Sequence, residues 1–160
     1  MTKTTNSDGT FNTVEYDTVG NRIATEDQSG QRTEYNYDVY GRMLLTTYPD
    51  ATTSSSTYDD EGNKLTDTNR NGHITRYVYD ELNRLIQTNY SDGSRTQTEY
   101  DTAGRVEAEI DANNNRTEYG YDAAGRRTSV QDAQGNVHTF NYDADGNLIE
   151  EIDALGRITT

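Results

Sequence analysis

The dipeptide Tyr-Asp begins at Tyr16, Tyr37, Tyr58, Tyr79, Tyr100, Tyr121 and Tyr142, always 21 residues apart. From this composition chance supplies about one such pair in the whole chain, so seven in a single phase mark a repeat array. Four residues after each of these tyrosines stands Gly20, Gly41, Gly62, Asn83, Gly104, Gly125 or Gly146, and the next residue is always Asn or Arg: Asn21, Arg42, Asn63, Arg84, Arg105, Arg126, Asn147. A second turn signal recurs at Gly9, Gly30, Gly72, Gly93, Gly135 and Gly156, with Ala51 and Asn114 in the two remaining slots. Residues 1–160 therefore read as one array of about seven and a half repeats, each carrying two turns.

Between the turns lie segments of about five or six residues, the length of a strand and too short for a helix. The first segment of each repeat, such as Ile74-Thr-Arg-Tyr-Val-Tyr79, alternates large and polar residues with the period of two of a half-buried strand. The second, such as Arg84-Leu-Ile-Gln-Thr-Asn89, holds most of the aliphatic residues, Ile23, Leu65, Ile86, Leu148 and Ile149 among them. Asp17-Thr-Val-Gly20 places Asp at the first and Gly at the fourth position of a type I turn, where the carboxylate accepts from backbone amides and Gly tolerates a positive φ. Asn83 in a Gly slot agrees, since Asn is the next-best residue in the left-handed region. The expected fold is all-β: an antiparallel meander of some fifteen short strands, two per 21-residue repeat. A sheet of that many strands must curl, close or stack.

Composition makes this fold unusual. Only 30% of residues are hydrophobic and the mean hydropathy is -1.08, close to the range in which a chain stays disordered because burial cannot offset backbone entropy. Yet 13 residues are Tyr, with no Trp and only Phe11 and Phe140, so tyrosine is the expected material of the core. In the first strand of each repeat two positions share a face: Val14 with Tyr16, Tyr35 with Tyr37, Tyr77 with Tyr79, Tyr119 with Tyr121, and Phe140 with Tyr142. Ser56 precedes Tyr58 and Thr98 precedes Tyr100 in the same slots. A ladder of rings buries large flat areas at small entropic cost and leaves each hydroxyl a polar outlet. Stacking of the rings on sugars is the functional alternative to this structural reading.

The charge narrows the partners. With 28 acidic and 14 basic residues the net charge is -14, which excludes the clustered Lys and Arg that nucleic acid requires and disfavours an anionic membrane surface. There is no Cys, hence no disulfide and no thiolate metal site. No window approaches a membrane span, and the opening residues carry no apolar signal segment. His73 and His138 occupy different slots of different repeats and imply no pair, and no Ser sits in a nucleophile elbow. The recurring carboxylates are explained by turns, so no enzyme and no cofactor is expected. Calcium has one weak candidate in Asp143, Asp145 and Asn147, whose alternating oxygens suggest the start of a calcium loop; the distal Glu of such a loop is missing.

The pattern Tyr-Asp-x-x-Gly-Arg/Asn, an apolar residue, a Gly turn and then Thr-x-Tyr-x-Tyr-Asp closely resembles the RHS or YD repeat, with Tyr121-Asp-Ala-Ala-Gly-Arg126 and Tyr142-Asp-Ala-Asp-Gly-Asn-Leu148 as its clearest copies. That family includes bacterial rearrangement-hotspot proteins, wall-associated proteins, C components of insecticidal toxin complexes and teneurins. The resemblance implies a β-ribbon wound as a spiral, a solenoid-like shell that often encloses a toxic C-terminal domain. It also implies an extracellular or secreted location and a link to carbohydrate binding. The chain matches the wall alone, without a plug domain or variable tail, as an excised segment of a longer shell would.

Seven periods of 21 leave 13 residues over, so the chain opens on a second-type strand and closes midway through a first-type strand. Such ends are complementary, and open strand edges are pairing templates unless blunted. Lys3 is the one guard near either end, and the sole Pro is internal, at Pro49. The edges formed by Thr2, Thr4, Ile158 and Thr160 are therefore expected to pair head-to-tail with further subunits, a non-closing contact that builds a filament.

Overall fold

The computed structural model describes residues 2–5 and 11–160, with side chains from Asn12 onward. Met1 and Gly9 lie outside the described residues, as do the side chains of Thr2, Lys3, Thr4 and Phe11. The chain divides into two compact units, one up to Tyr77 and one from Val78. The first holds β1 (Thr2–Thr5), β2 (Phe11–Tyr16), β3 (Arg22–Glu26), β4 (Arg32–Tyr37), β5 (Met43–Thr47), β6 (Thr53–Tyr58) and β7 (Lys64–Thr68), and β8 (Ile74–Tyr79) straddles the division. The second holds β9 (Leu85–Asn89), β10 (Arg95–Tyr100), β11 (Val106–Ile110), β12 (Arg116–Tyr121), β13 (Arg127–Gln131), β14 (Val137–Tyr142), β15 (Leu148–Ile152) and the two-residue β16 (Ile158–Thr159). Within each unit every strand pairs antiparallel with the next in sequence, the all-β meander of two short strands per repeat that the period predicts.

The turns follow from local chemistry. They open at alternating steps of 10 and 11 residues from Asp17 to Asp153, on Asp except at Tyr48, Asn69 and Tyr90. In each, the first residue donates to the carbonyl four residues on, and the fourth residue donates back to it, as Asp122 N–H does to Arg126 O and Gly125 N–H to Asp122 O, both at 3.0 Å. Where Asp opens the turn its carboxylate accepts loop amides, as Asp122 Oδ1 takes Ala124 N–H and Arg126 N–H, each at 2.9 Å. The fourth residue always has positive φ, and the exceptions to Gly are the three read from the sequence, Ala51 at 62°, Asn83 at 60° and Asn114 at 63°. Ala51 is strained there, since its Cβ meets the carbonyl in the left-handed region at a cost of about 1–2 kcal/mol, of which the greater unfolded-state freedom of Gly returns about half. We expect Ala51→Gly to stabilise the protein by about 1 kcal/mol and raise the unfolding temperature by about 3 °C. A lower melting temperature would mean that Ala51 is relaxed as it stands.

Two features were not visible in the pattern. Among the described residues six hairpins carry a β-bulge just before the tyrosine of Tyr-Asp: Tyr37 pairs with Met43 and Asn36 with Leu45, which leaves Leu44 as the extra residue. Ile23, Leu65 and Ile149 are the extra residues of three others. Each bulge sharpens the local twist. Ion pairs also span a whole strand. Arg32 on β4 reaches Glu15 on β2 with two bonds of 2.9 and 3.0 Å, across β3, where Ala24 stands opposite both Glu15 and Glu34. Four repeats later Arg116 reaches Glu99 across β11, where Ala108 stands between Glu99 and Glu118. Ala24 and Ala108 are both 0% exposed beneath these arches. Partly exposed ion pairs contribute about 0–1 kcal/mol each, so their chief effect is to cover the small residue below.

The burial this single-layer arrangement achieves is modest. Among the described residues the buried positions are small, Ala24, Ala108, Thr46 and Thr88, and no large side chain is fully buried. The rings are half-covered: Tyr35, Tyr37, Tyr58, Tyr77, Tyr79, Tyr100, Tyr119, Tyr121, Phe140 and Tyr142 are all of intermediate exposure, and Tyr16 is exposed. Tyrosine suits such a position because its ring can be covered while its hydroxyl reaches a polar partner.

Candidate functional site: the tyrosine ladder and its arginine clasps

The ladder of backbone bonds is incomplete by design of the register. β4 pairs with β3 through Arg32, Thr33 and Glu34, but with β5 through Glu34 to Tyr37, so β3 and β4 diverge toward the Tyr-Asp turns. β10 and β12 repeat the arrangement. The divergence strips carbonyls at the start of second-type strands of a strand partner, which leaves them to accept from a side chain or water. The Tyr-Asp tyrosines supply it. Tyr37, Tyr58, Tyr100, Tyr121 and Tyr142 each donate a hydroxyl hydrogen to the carbonyl fifteen residues earlier, that of Arg22, Met43, Leu85, Val106 and Arg127, at 2.9–3.2 Å.

Arginine closes the same wedge from the other side. Arg126 Nε donates to Asp122 Oδ2 of its own turn at 2.7 Å, while its Nη1 donates to the backbone oxygen of Asp143 in the next repeat at 3.0 Å. Its guanidinium lies 4.8 Å from the centre of the Tyr142 ring. Arg42 and Arg105 make the same three contacts, with Asp38, Asp59 and Tyr58, and with Asp101, Asp122 and Tyr121. Arg84 lies 4.1 Å from the Tyr100 ring. Asn21, Asn63 and Asn147, in the same slot, bond the carboxylate of their own turn through their side-chain amides. Where Arg fills the slot, at Arg42, Arg105 and Arg126, one side chain clasps two turns. The sequence signal was the slot itself; its reach across 17 residues could not be read without the register.

The second row of rings is held differently. Tyr35 lies under Arg22 at 4.7 Å with its hydroxyl 3.3 Å from Thr25 Oγ1, and Tyr119 donates to Glu109 at 2.6 Å. That bond to a carboxylate, helped by burial, holds the Tyr119 hydroxyl above its ordinary pKa. Arg127 sits between Tyr119 and Phe140, at 5.8 and 5.6 Å.

The remaining candidates are placed as follows. Asp143 accepts Asn147 N–H on Oδ1 and the Asn147 amide on Oδ2, so both its oxygens serve the turn, while Asp145 projects from the exposed loop. Among the described residues no three His, Cys, Asp or Glu come together as a metal site. His73 closes a turn and His138 lies on β14, in different units. Thr2 and Thr4 lie on β1, which pairs with β2; Ile158 is exposed on β16, which pairs with β15, and Thr160 follows it. Among the described residues no helix is long and apolar enough to cross a membrane.

Comparison with known proteins agrees with this geometry. The family model RHS Repeat matches residues 16–53, 58–96 and 100–137. Comparison with curated protein sequences gives no match. Among solved structures, a Tc holotoxin pore of Photorhabdus luminescens is similar to 91% of this chain at 22% identity with a TM-score of 0.69, and a TcdB2-TccC3 crystal structure to 92% at 22% identity with a TM-score of 0.67. The chain spans about a tenth of the length of each, 9% and 10%. With more than half of its residues matched by the family model, and the same strand architecture in both solved structures, the chain belongs to the RHS repeat family.

Proposed function

We propose that the chain is a stretch of structural wall, a non-catalytic, extracellular β-ribbon contributing part of an RHS shell. One observation carries this reading: in repeats with Arg in the Asn-or-Arg slot that side chain joins one repeat to the next, Arg126 by its bonds to Asp122 and Asp143 and its contact with Tyr142. Groups so engaged are withdrawn from chemistry on a substrate. Arginines cover one face of the Tyr58, Tyr100, Tyr121 and Tyr142 rings, and backbone carbonyls hold all four hydroxyls at 2.9–3.2 Å, which favours a wall over a sugar-stacking surface. Further wall, from another subunit or a longer chain, would continue the meander at β1 and β16 by pairing with their outer edges. The test is an exchange. This chain replaces an equal stretch of repeats in a TccC3-type shell, and the particle is challenged with protease. The interior is expected to stay protected; a chimera that is folded by circular dichroism yet cut inside would overturn the proposal.

A further inference from the structure

Among the described residues two turns open on tyrosine, at Tyr48 and, two repeats later, at Tyr90. They are built alike. In the first, Asp50 Oδ1 accepts Thr52 N–H at 3.1 Å and the Thr52 hydroxyl at 2.6 Å; in the second, Asp92 Oδ1 accepts Ser94 N–H at 2.9 Å and the Ser94 hydroxyl at 2.6 Å. The first turn binds an arginine. Arg70 donates through Nη2 to Asp50 Oδ2 at 2.5 Å and through Nε to Thr52 Oγ1 at 2.8 Å, and its guanidinium lies 4.1 Å from the centre of the Tyr48 ring. Two repeats on from Arg70 the same place in the turn is filled by Ala112, which cannot reach back. The second turn therefore presents the same three groups without an arginine from its own array. Among the described residues Asp92 Oδ2 has no hydrogen-bond or ion-pair partner and no cation lies over the Tyr90 ring, which is 41% exposed where Tyr48 is half-buried. Arg116, on the strand that follows the Ala112 turn, is engaged by Glu99 and Glu118.

We propose that Tyr90, Asp92 and Ser94 form a docking site for the guanidinium of an arginine side chain carried by another polypeptide. The occupant is read from Arg70, whose contacts at the matching turn show what this set of groups binds. A guanidinium is planar, so it lies on the ring face while two N–H bonds leave its edge for the carboxylate and the hydroxyl oxygen; a lysine ammonium has neither the plane nor the fork. Ser94 donates its own hydrogen to Asp92 Oδ1, which leaves its oxygen to accept from the guest, as Thr52 accepts from Arg70. Asp92 Oδ1 is taken up by the turn and Oδ2 supplies the charge, the division that Asp50 shows. A net charge of -14 draws a cationic partner toward the chain. All three groups act on the guanidinium, and none of them on the α-amino or α-carboxylate group of free arginine, so the source that fits is a residue within a polypeptide.

The test is an NMR titration of the intact chain with the blocked tripeptide acetyl-Gly-Arg-Gly-amide, followed through backbone amides. Saturable shifts are expected at residues 90–94 and 111–113 and not at 48–52, where Arg70 already sits. Ala112→Arg supplies the missing side chain from within, so the shifts vanish and the melting temperature rises. Should Ala112→Arg not fold, Asp92→Asn keeps an oxygen for Ser94 and removes the charge: the peptide is expected to bind about tenfold more weakly. Arg70→Ala is the converse, exposing Tyr48, Asp50 and Thr52, and is expected to add a second set of saturable shifts at 48–52. Absence of saturable shifts in the parent, equal binding of the tripeptide with Lys in place of Arg, tighter binding of free arginine than of the blocked peptide, or an Asp92→Asn variant that binds like the parent would overturn the proposal.

Discussion

Tyr121→Ala is expected to destabilise the protein by about 3 kcal/mol, the lower end of the range for aromatic truncations because the ring is half-covered rather than enclosed. Three losses coincide. The hydroxyl no longer satisfies the Val106 carbonyl at 2.9 Å, the ring no longer fills the wedge between β11 and β12, and the Arg105 guanidinium loses the face it packs on at 4.6 Å. Tyr121→Phe removes only the first, at about 1 kcal/mol. The difference between the two variants, read from chemical denaturation, measures the ring. Because each repeat touches only its neighbours, the same pair of substitutions at Tyr142 should give nearly the same two numbers, and the effects should add when the sites are not adjacent. If Tyr121→Ala and Tyr121→Phe melted alike, the rings would be ornaments on a sheet held by its backbone, and the tyrosine ladder would fall as an account of this fold.

How much of this was legible depended on the distance over which each signal acts. The period, the two turns and the strands were readable because a turn is local: Asp122 and Gly125 determine it within five residues, and Ala51, Asn83 and Asn114 proved to be left-handed where the phase demanded. The bulges before Tyr37 and Tyr121 were not readable, since an extra residue is defined only against a partner strand. The Arg126 clasp joins groups 17 residues apart, and the Arg32 arch joins groups on strands that are not neighbours. Both depend on where the paired strands diverge.

Acid should unfold the chain steeply below about pH 4. Three turn carboxylates illustrate groups held below the ordinary Asp value of 3.8 in the folded state: Asp80 by the Arg84 backbone amide and then its side chain, Asp122 by the Arg126 side chain and then its amide, and Asp143 by Asn147 in the same two ways. A carboxylate with a depressed folded pKa contributes its stability in full above the unfolded value and loses it as pH falls toward the folded one. The contributions recur in turn after turn, so they are withdrawn together over one narrow range. Net charge acts in the opposite sense. At -14 the chain repels itself at neutral pH, and protonation of carboxylates outside the turns relieves this as pH 4 is approached. The melting temperature should therefore hold or rise slightly from pH 7 to about 4.5 and then collapse. Asn69 shows what an acid-insensitive turn looks like, its amide oxygen accepting Asn71 N–H at 2.9 Å and His73 N–H at 3.1 Å with no proton to gain. Converting Asp122, Asp132 and Asp143 to Asn should accordingly lower stability at pH 7, where the ion pair of Asp122 with Arg126 is lost, and yet flatten the fall below pH 4. A parent protein that melts at the same temperature at pH 3 and pH 6 would show that the carboxylates follow the turns instead of holding them.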